Sequence, residues 1–182
     1  ARARKVATDT GKDPRLVEVI LRQSRGVVRW RNGVLITETH HGWICANAGV
    51  DRSNVAEPGR EIVLTLPENP DRSAREIRRS LVNATGVDLA VIISDTHGRA
   101  WRLGTVNLAI GVAGMDPILD VRGQRDRFGY TMRVTQIARA DELAAAAGLV
   151  SGQAGEGLPV VVVRGATYTR ADGRAVNMQR PI

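Results

Sequence analysis

Three short polar stretches interrupt apolar sequence and carry side chains suited to metal and phosphate chemistry. They are Asn47-Ala-Gly-Val-Asp51-Arg-Ser-Asn54, Ser94-Asp95-Thr96-His97-Gly98-Arg99 and Ser151-Gly152-Gln153-Ala154-Gly155-Glu156-Gly157. Hard divalent cations such as magnesium take oxygen ligands, commonly one or two carboxylates together with nucleotide phosphates. Asp51 and Asp95 supply carboxylates, each expected in a loop of small residues where a metal and a phosphate can approach the backbone. Thr96 adds a hydroxyl and Gln153 an amide oxygen. The glycines of the third stretch leave backbone N–H groups free to face phosphate. Arg99 and Arg102 could offset its charge.

Each feature also has a plainer reading. An Asp-Arg-Ser-Asn run commonly makes only a turn, and so does an Asp-Thr pair at a strand end. The glycine-rich stretch lacks the full phosphate-loop pattern. His40 and His41, adjacent on an expected strand, would point to opposite faces, so a shared zinc site is not expected. His97 reads as a loop histidine that hydrogen-bonds, with acid–base work as the sharper alternative. Cys45 has no recognisable nucleophilic dyad and reads as a small packed side chain. Asp120, Asp126, Asp141 and Glu142 read as surface or capping groups.

The elements that must position these residues follow from periodicity. Asp13-Pro14 starts a helix whose Leu16, Val17, Ile20 and Leu21 share a face, ending near Ser24. Residues 26–30 and 34–39 read as strands joined by the hairpin signal Asn32-Gly33. Residues 42–54 read as a shaped loop and 61–66 as a weak strand. Asp71 or Ser73 is expected to cap a helix running to about Asn83, closed by Gly86. The continuous apolar run in 88–94 predicts a buried strand, 105–112 a further strand, and 159–163 another buried one. An Ala-rich helix is expected over 135–149, and residues 166–182 read as an irregular tail. The interleaving lacks a steady βαβ rhythm, so the expected class is α+β, with mixed or antiparallel sheets and packed helices.

The 182 residues suit one domain, expected to be a single one over residues 1–182. Apolar content of 43% and charged content of 25% describe a folded globular chain. No apolar run reaches the roughly 20 residues that span a bilayer, and one cysteine cannot form an intrachain disulfide. A cytoplasmic protein with no membrane partner is expected. The net charge of +7 invites a nucleic-acid reading, but only Lys5 and Lys12 among the 26 basic residues are lysines, and the arginines spread along the chain. With 3% aromatics to stack bases, no nucleic-acid partner is expected. The first residue is Ala1, followed by Arg2-Ala-Arg-Lys5, which reads as a cut through a longer chain.

In order along the chain, the runs Gly11-Lys-Asp-Pro-Arg15, His41-Gly-Trp-Ile-Cys-Ala-Asn-Ala-Gly-Val-Asp51-Arg-Ser-Asn-Val55 and Leu66-Pro-Glu-Asn-Pro-Asp-Arg-Ser-Ala74 are followed by Ile92-Ile-Ser-Asp-Thr-His-Gly-Arg-Ala-Trp-Arg102. Ala109-Ile-Gly-Val-Ala-Gly114, Asp141-Glu-Leu-Ala-Ala-Ala-Ala147 and Pro159-Val-Val-Val-Val-Arg-Gly165 complete the series. In this order they resemble the coenzyme F-420-0:L-glutamate ligase, or gamma-glutamyl ligase, family. The resemblance implies a GTP-dependent ligase that activates the lactyl carboxylate of F-420-0 as an acyl phosphate and joins L-glutamate to it as an amide, with further gamma-linked glutamates a possible continuation. It implies magnesium or manganese at two sites, with Asp51 and Asp95 on one ion and Thr96 and Gln153 on the second; potassium is a further candidate. Asp51 and Asp95 would be the catalytic residues. Asn54 and the loop Ser151, Gly152, Gln153, Ala154, Gly155, Glu156, Gly157 and Leu158 would contact the nucleotide. Roles for Arg99, Arg102 and His97 rest on charge and position. Trp43 and Trp101 are candidates for a wall against the deazaflavin ring, a buried core Trp being the plainer alternative. The resemblance also implies an intertwined homodimer and a family N-terminal segment that this chain lacks. A related amide ligase on another acceptor, or a nucleotide-binding subunit without catalysis, are the competing readings.

Overall fold

The computed structural model describes residues 2–31, 33–55 and 59–180. It divides into two compact units, Ala1–Glu68 with His97–Thr105, and Asn69–Thr96 with Val106–Ile182.

The first unit opens with two helices, α1 (Arg2–Thr10) and α2 (Pro14–Arg22). In α1, Ala3, Val6, Ala7 and Thr10 are buried, the i, i+3, i+4, i+7 spacing of one helical face. Its small residues make that face weakly hydrophobic, and sequence reading does not expect the helix. α2 starts as expected: the Asp13 carboxylate accepts the Arg15 N–H at 2.7 Å, and Pro14 takes the first turn. Strands β1 (Ser24–Arg31), β2 (Val34–Thr39) and β3 (Ile44–Ala46) form an antiparallel sheet in that order. Asn32 of the expected hairpin signal, like Ala1, lies outside the described residues.

The core of this unit joins Val6, Val17, Ile20, Leu35, Ala48 and Val50. The expected loop 42–54 therefore contains a strand, β3, and a 3-10 turn, Asn47–Gly49. Cys45 is buried in β3 opposite Thr37. Residues 61–66 do not form a strand; Leu64 makes one isolated bridge, to Asp51. His40 and His41 lie in the turn after β2 rather than on a strand, and their Nε2 atoms engage the carbonyls of Arg22 and Glu68 separately.

The second unit is built on α3 (Pro70–Thr85), α4 (Arg139–Ser151) and most of a hairpin of β4 (Val91–Arg99) and β5 (Arg102–Ala113), whose tip, His97–Thr105, is grouped with the first unit. The helix α3 is capped by Asn69, whose side chain accepts the Arg72 N–H at 2.9 Å, and not by Asp71 or Ser73. Pro70 explains the choice: it fits the first helical position, where no N–H is needed. Asp71 is thereby carried inside, where its Oδ1 accepts the N–H groups of Val112 and Ala175 at 2.8 Å each. Gly86 closes the helix as expected.

Strand β4 starts three residues later than the apolar run suggests and is only partly buried. It continues through the second polar stretch, because the twelve-residue partner β5 goes on pairing beyond the apolar segment. The Ala-rich helix begins at Arg139 and not at 135; Gln136–Ile137 instead forms β7, paired antiparallel with β6 (Leu119–Asp120). Asp141 is not a surface group: it accepts the Ala109 N–H at 2.9 Å and so ties α4 to β5. Residues 159–163 form no strand among the described residues, and Val160 and Val162 are 80% and 74% exposed. Among its described residues the tail contains one 3-10 turn, Ala175–Met178. No described helix is long and apolar enough to cross a membrane.

Candidate active site

Within the second unit, three side chains distant in sequence meet. The Thr96 hydroxyl lies 2.8 Å from Gln153 Oε1 and 3.1 Å from Asn107 Oδ1, and the Gln153 amide donates to Asn107 Oδ1 at 2.7 Å. Thr96 comes from β4, Asn107 from β5, and Gln153 from the loop after α4. The hydroxyl has one proton to share between two acceptors, so the triangle can exchange a bond for another ligand without leaving a donor stranded. All three offer neutral oxygens. That donor set suits a hard cation that draws its anionic ligands from phosphate, and it does not suit zinc or another thiophilic metal.

Asn107 is the member that sequence reading misses. Its signal is a polar residue in the apolar run Val106-Asn-Leu-Ala-Ile110, buried to 9% exposure. A buried amide in a strand requires partners, and here they are candidate site residues. The helix α4 presses on it: a Cβ on Gly148 would lie 3.0 Å from Asn107 Nδ2.

The loop 151–158 leaves α4 at Ser151. Gly152 caps the helix with φ +68°, and a Cβ there would sit 2.1–2.5 Å from the Glu156 carboxyl atoms. That carboxylate folds back over the loop and accepts the Ala154 N–H at 2.8 Å. Hydrogen bonds from the N–H groups of Ala154, then of Glu156 itself and of Gln153, outweigh desolvation and hold it below the ordinary glutamate range. The backbone donors of this loop thus already converge on an anion, supplied by its own side chain. Residues Gln153, Ala154, Gly155, Glu156, Gly157 and Leu158 are exposed.

In the first unit, Asp51 follows a tightly wound backbone. Asn47, Ala48 and Asn54 all have positive φ, between 52° and 55°. Asparagine tolerates this conformation; Ala48 does so at a cost of about 1–2 kcal/mol, with its methyl buried in the core at 1% exposure. Asp51 Oδ1 accepts the N–H groups of Arg52 at 2.6 Å and Ser53 at 2.9 Å, with the Ser53 hydroxyl bridging to both carboxylate oxygens. Burial pushes this carboxyl up, but the Ser53 backbone and hydroxyl and the Arg52 N–H outweigh it, leaving its pKa below the ordinary value. The turn reading is therefore observed. Since Oδ1 gathers most of the donors, the exposed Asp51 keeps acceptor capacity on Oδ2.

Asp95 lies within β4 rather than in a loop, half-buried beside Thr96, and adjacent strand residues face opposite sides. His97 is also in the strand, buried to 5% exposure, so it is not the loop histidine expected. Arg99 donates to the Leu103 carbonyl at 3.2 Å, which occupies it within the hairpin tip. Trp101 has φ +57° and is fully exposed, excluding a core role, whereas Trp43 is half-buried. Among the described residues, no three His, Cys, Asp or Glu side chains cluster as a metal site.

The chain is similar to known proteins over most of its length. A protein of Methanothermobacter thermautotrophicus described as coenzyme F420:L-glutamate ligase is 50% identical over 178 residues, covering 97% of this chain and 69% of the relative. Proteins of the same description from Methanopyrus kandleri and Methanocaldococcus jannaschii are 53% and 44% identical over 90% and 97% of this chain. The chain spans 64% and 69% of those two relatives' lengths. The family model described as F420-0:Gamma-glutamyl ligase matches residues 1–165. Three polar segments on an α+β scaffold, and this match over most of the sequence, establish that the chain belongs to the F420-0:gamma-glutamyl ligase family of enzymes.

Proposed function

We propose that the protein joins L-glutamate to coenzyme F-420-0 at the expense of GTP. A carboxylate oxygen of the lactyl group attacks the γ-phosphorus, GDP leaves, and a mixed carboxylic–phosphoric anhydride results. The glutamate amine then attacks the acyl carbon, the C–O bond to phosphate breaks, and the amine releases a proton as the amide forms. Further gamma-linked additions would repeat the sequence on the new carboxylate.

The observation that carries this reading is the loop 151–158, whose backbone donors converge on an anion next to the Thr96–Asn107–Gln153 triangle. The nucleotide phosphates would replace the Glu156 carboxylate on those donors. Asn54 would contribute a further nucleotide contact. Thr96 and Gln153 would hold one magnesium or manganese ion, and Asp51 and Asp95 would serve as ligands for a second. Such ions lower the repulsion between an anionic phosphoryl group and its anionic acceptor. The exposed Trp101, and Trp43, are candidates to pack against the deazaflavin ring.

The active form is a homodimer in this reading. The buried apolar residues of the second unit are mainly small, including Ala74, Ala109, Ala113, Ala140, Ala144 and Ala175, while Ile77, Leu81, Leu149, Val160 and Val162 are exposed. Such a distribution favours a partner chain over the exposed aliphatic surface.

The test is mass spectrometry of a mixture containing the protein, GTP, magnesium, L-glutamate and F-420-0. A product heavier by glutamyl units, formed only when GTP and metal are both present, is expected. Product with a different carboxylated acceptor alone would redirect the assignment to a related amide ligase. Metal-dependent GTP binding without product from any acceptor would favour a non-catalytic nucleotide-binding subunit.

A further inference from the structure

On α3, Arg75, Arg78 and Arg79 follow the spacing that brings side chains to one helical face. With Arg170 from the tail, they line a cavity of about 540 Å³ that also contains Asp88 and Asp172 and lies wholly within the second unit. It shares no residue with the loop 151–158 or with the Thr96–Asn107–Gln153 triangle.

Part of this wall is fixed. Arg78 Nε donates to the Leu89 carbonyl at 2.7 Å, and the same guanidinium pairs with Asp88. Asp88 also pairs with Arg170 at 2.5 Å. A Cβ on Gly114 would fall 2.3 Å from Arg78 Nε, so the absence of a side chain there makes room for the arginine. The other part is unspent: neither Arg75 nor Arg79 has an ion pair among the described residues. Four guanidinium groups thus face two carboxylates, and Asp88 is shared between two of the four. Guanidinium forks match carboxylate and phosphate oxygens in pairs. The volume falls within the range of small-molecule sites.

We propose that this cavity is a second anion site, binding a small molecule that carries two or more carboxylate or phosphate groups. Arg75 and Arg79 grip the ligand, and the Asp88-anchored Arg78 and Arg170 form the preset wall. The site does not depend on the ligase reaction, and a binding measurement distinguishes its failure from failure of that reaction.

The experiment is isothermal titration of the whole chain, in EDTA and at low salt, with two separate probes: tri-γ-glutamate and inorganic pyrophosphate. At least one probe binds, and affinity falls when salt is raised, because exposed charge pairs are screened. The double variant Arg75→Ala/Arg79→Ala lowers that affinity at least tenfold while its circular dichroism melt is unchanged. Arg75→Lys/Arg79→Lys, which keeps charge and loses the fork, falls between the two. Asp51→Asn binds as the parent does. Binding of tri-γ-glutamate alone identifies a polycarboxylate site, of pyrophosphate alone a phosphate site, and of both a general one. If neither probe binds the parent, or if the folded double-alanine variant binds equally well, the proposal is overturned.

Discussion

Asp51 in the first unit and Asp71 in the second each gather backbone N–H groups onto one carboxylate oxygen. Asp51 collects neighbours one and two residues away, stays exposed, and keeps room on Oδ2. Asp71 collects Val112 and Ala175, which lie 41 and 104 residues away, and is 8% exposed. The same chemistry closes a turn at one aspartate and fastens three distant segments at the other. What separates a carboxylate available for ligands from one committed to the fold is solvent access and the sequence distance of its donors, not the number of its hydrogen bonds.

Substitution at the two positions should therefore fail in different assays. Asp51→Asn keeps an oxygen for the turn but removes the charge that the proposed divalent ion would need. Turnover is expected to fall about a thousandfold, equivalent to about 4 kcal/mol, with little change in the melting curve. Near-parental turnover would erase the contrast. Asp71→Ala leaves two buried N–H groups without an acceptor, and about 3 kcal/mol of stability is expected to be lost, read by urea unfolding. A loss under about 1 kcal/mol would mean that the buried carboxylate does not fasten the three segments.

The smallest effect concerns pH. Because the folded pKa of Asp51 is depressed, the ionised carboxylate stabilises its turn above the unfolded value, near 3.8, and loses that contribution as pH falls through the lower folded value. Urea unfolding of the parent and of Asp51→Asn should therefore differ by a constant amount above about pH 5 and converge in stronger acid. Convergence already at neutral pH would contradict the donor set assigned to this carboxylate.

The sequence makes the helix after Asp13-Pro14 legible, because cap, proline and apolar face agree there. It also marks the hairpin strands of the first unit and all three polar stretches. It does not reveal Asn107 as a hub, because only tertiary pairing of β4 with β5 brings Thr96 to it. Nor does it separate Asp71 from Asn69 as the helix cap, since both residue types can cap and proline placement decides. The run 159–163 illustrates the opposite error. Continuous apolar sequence predicts burial but does not say in what, and within this chain most of the segment remains exposed.

In the proposed reaction, GTP activates a carboxylate before glutamate attacks it. The direct measurement uses F-420-0 with both lactyl carboxylate oxygens labelled with oxygen-18, followed by mass analysis of the phosphate released. The two-step chemistry predicts that one labelled oxygen appears in each phosphate formed, because the acyl C–O bond is the one that breaks. Amide product accompanied by unlabelled phosphate would contradict it.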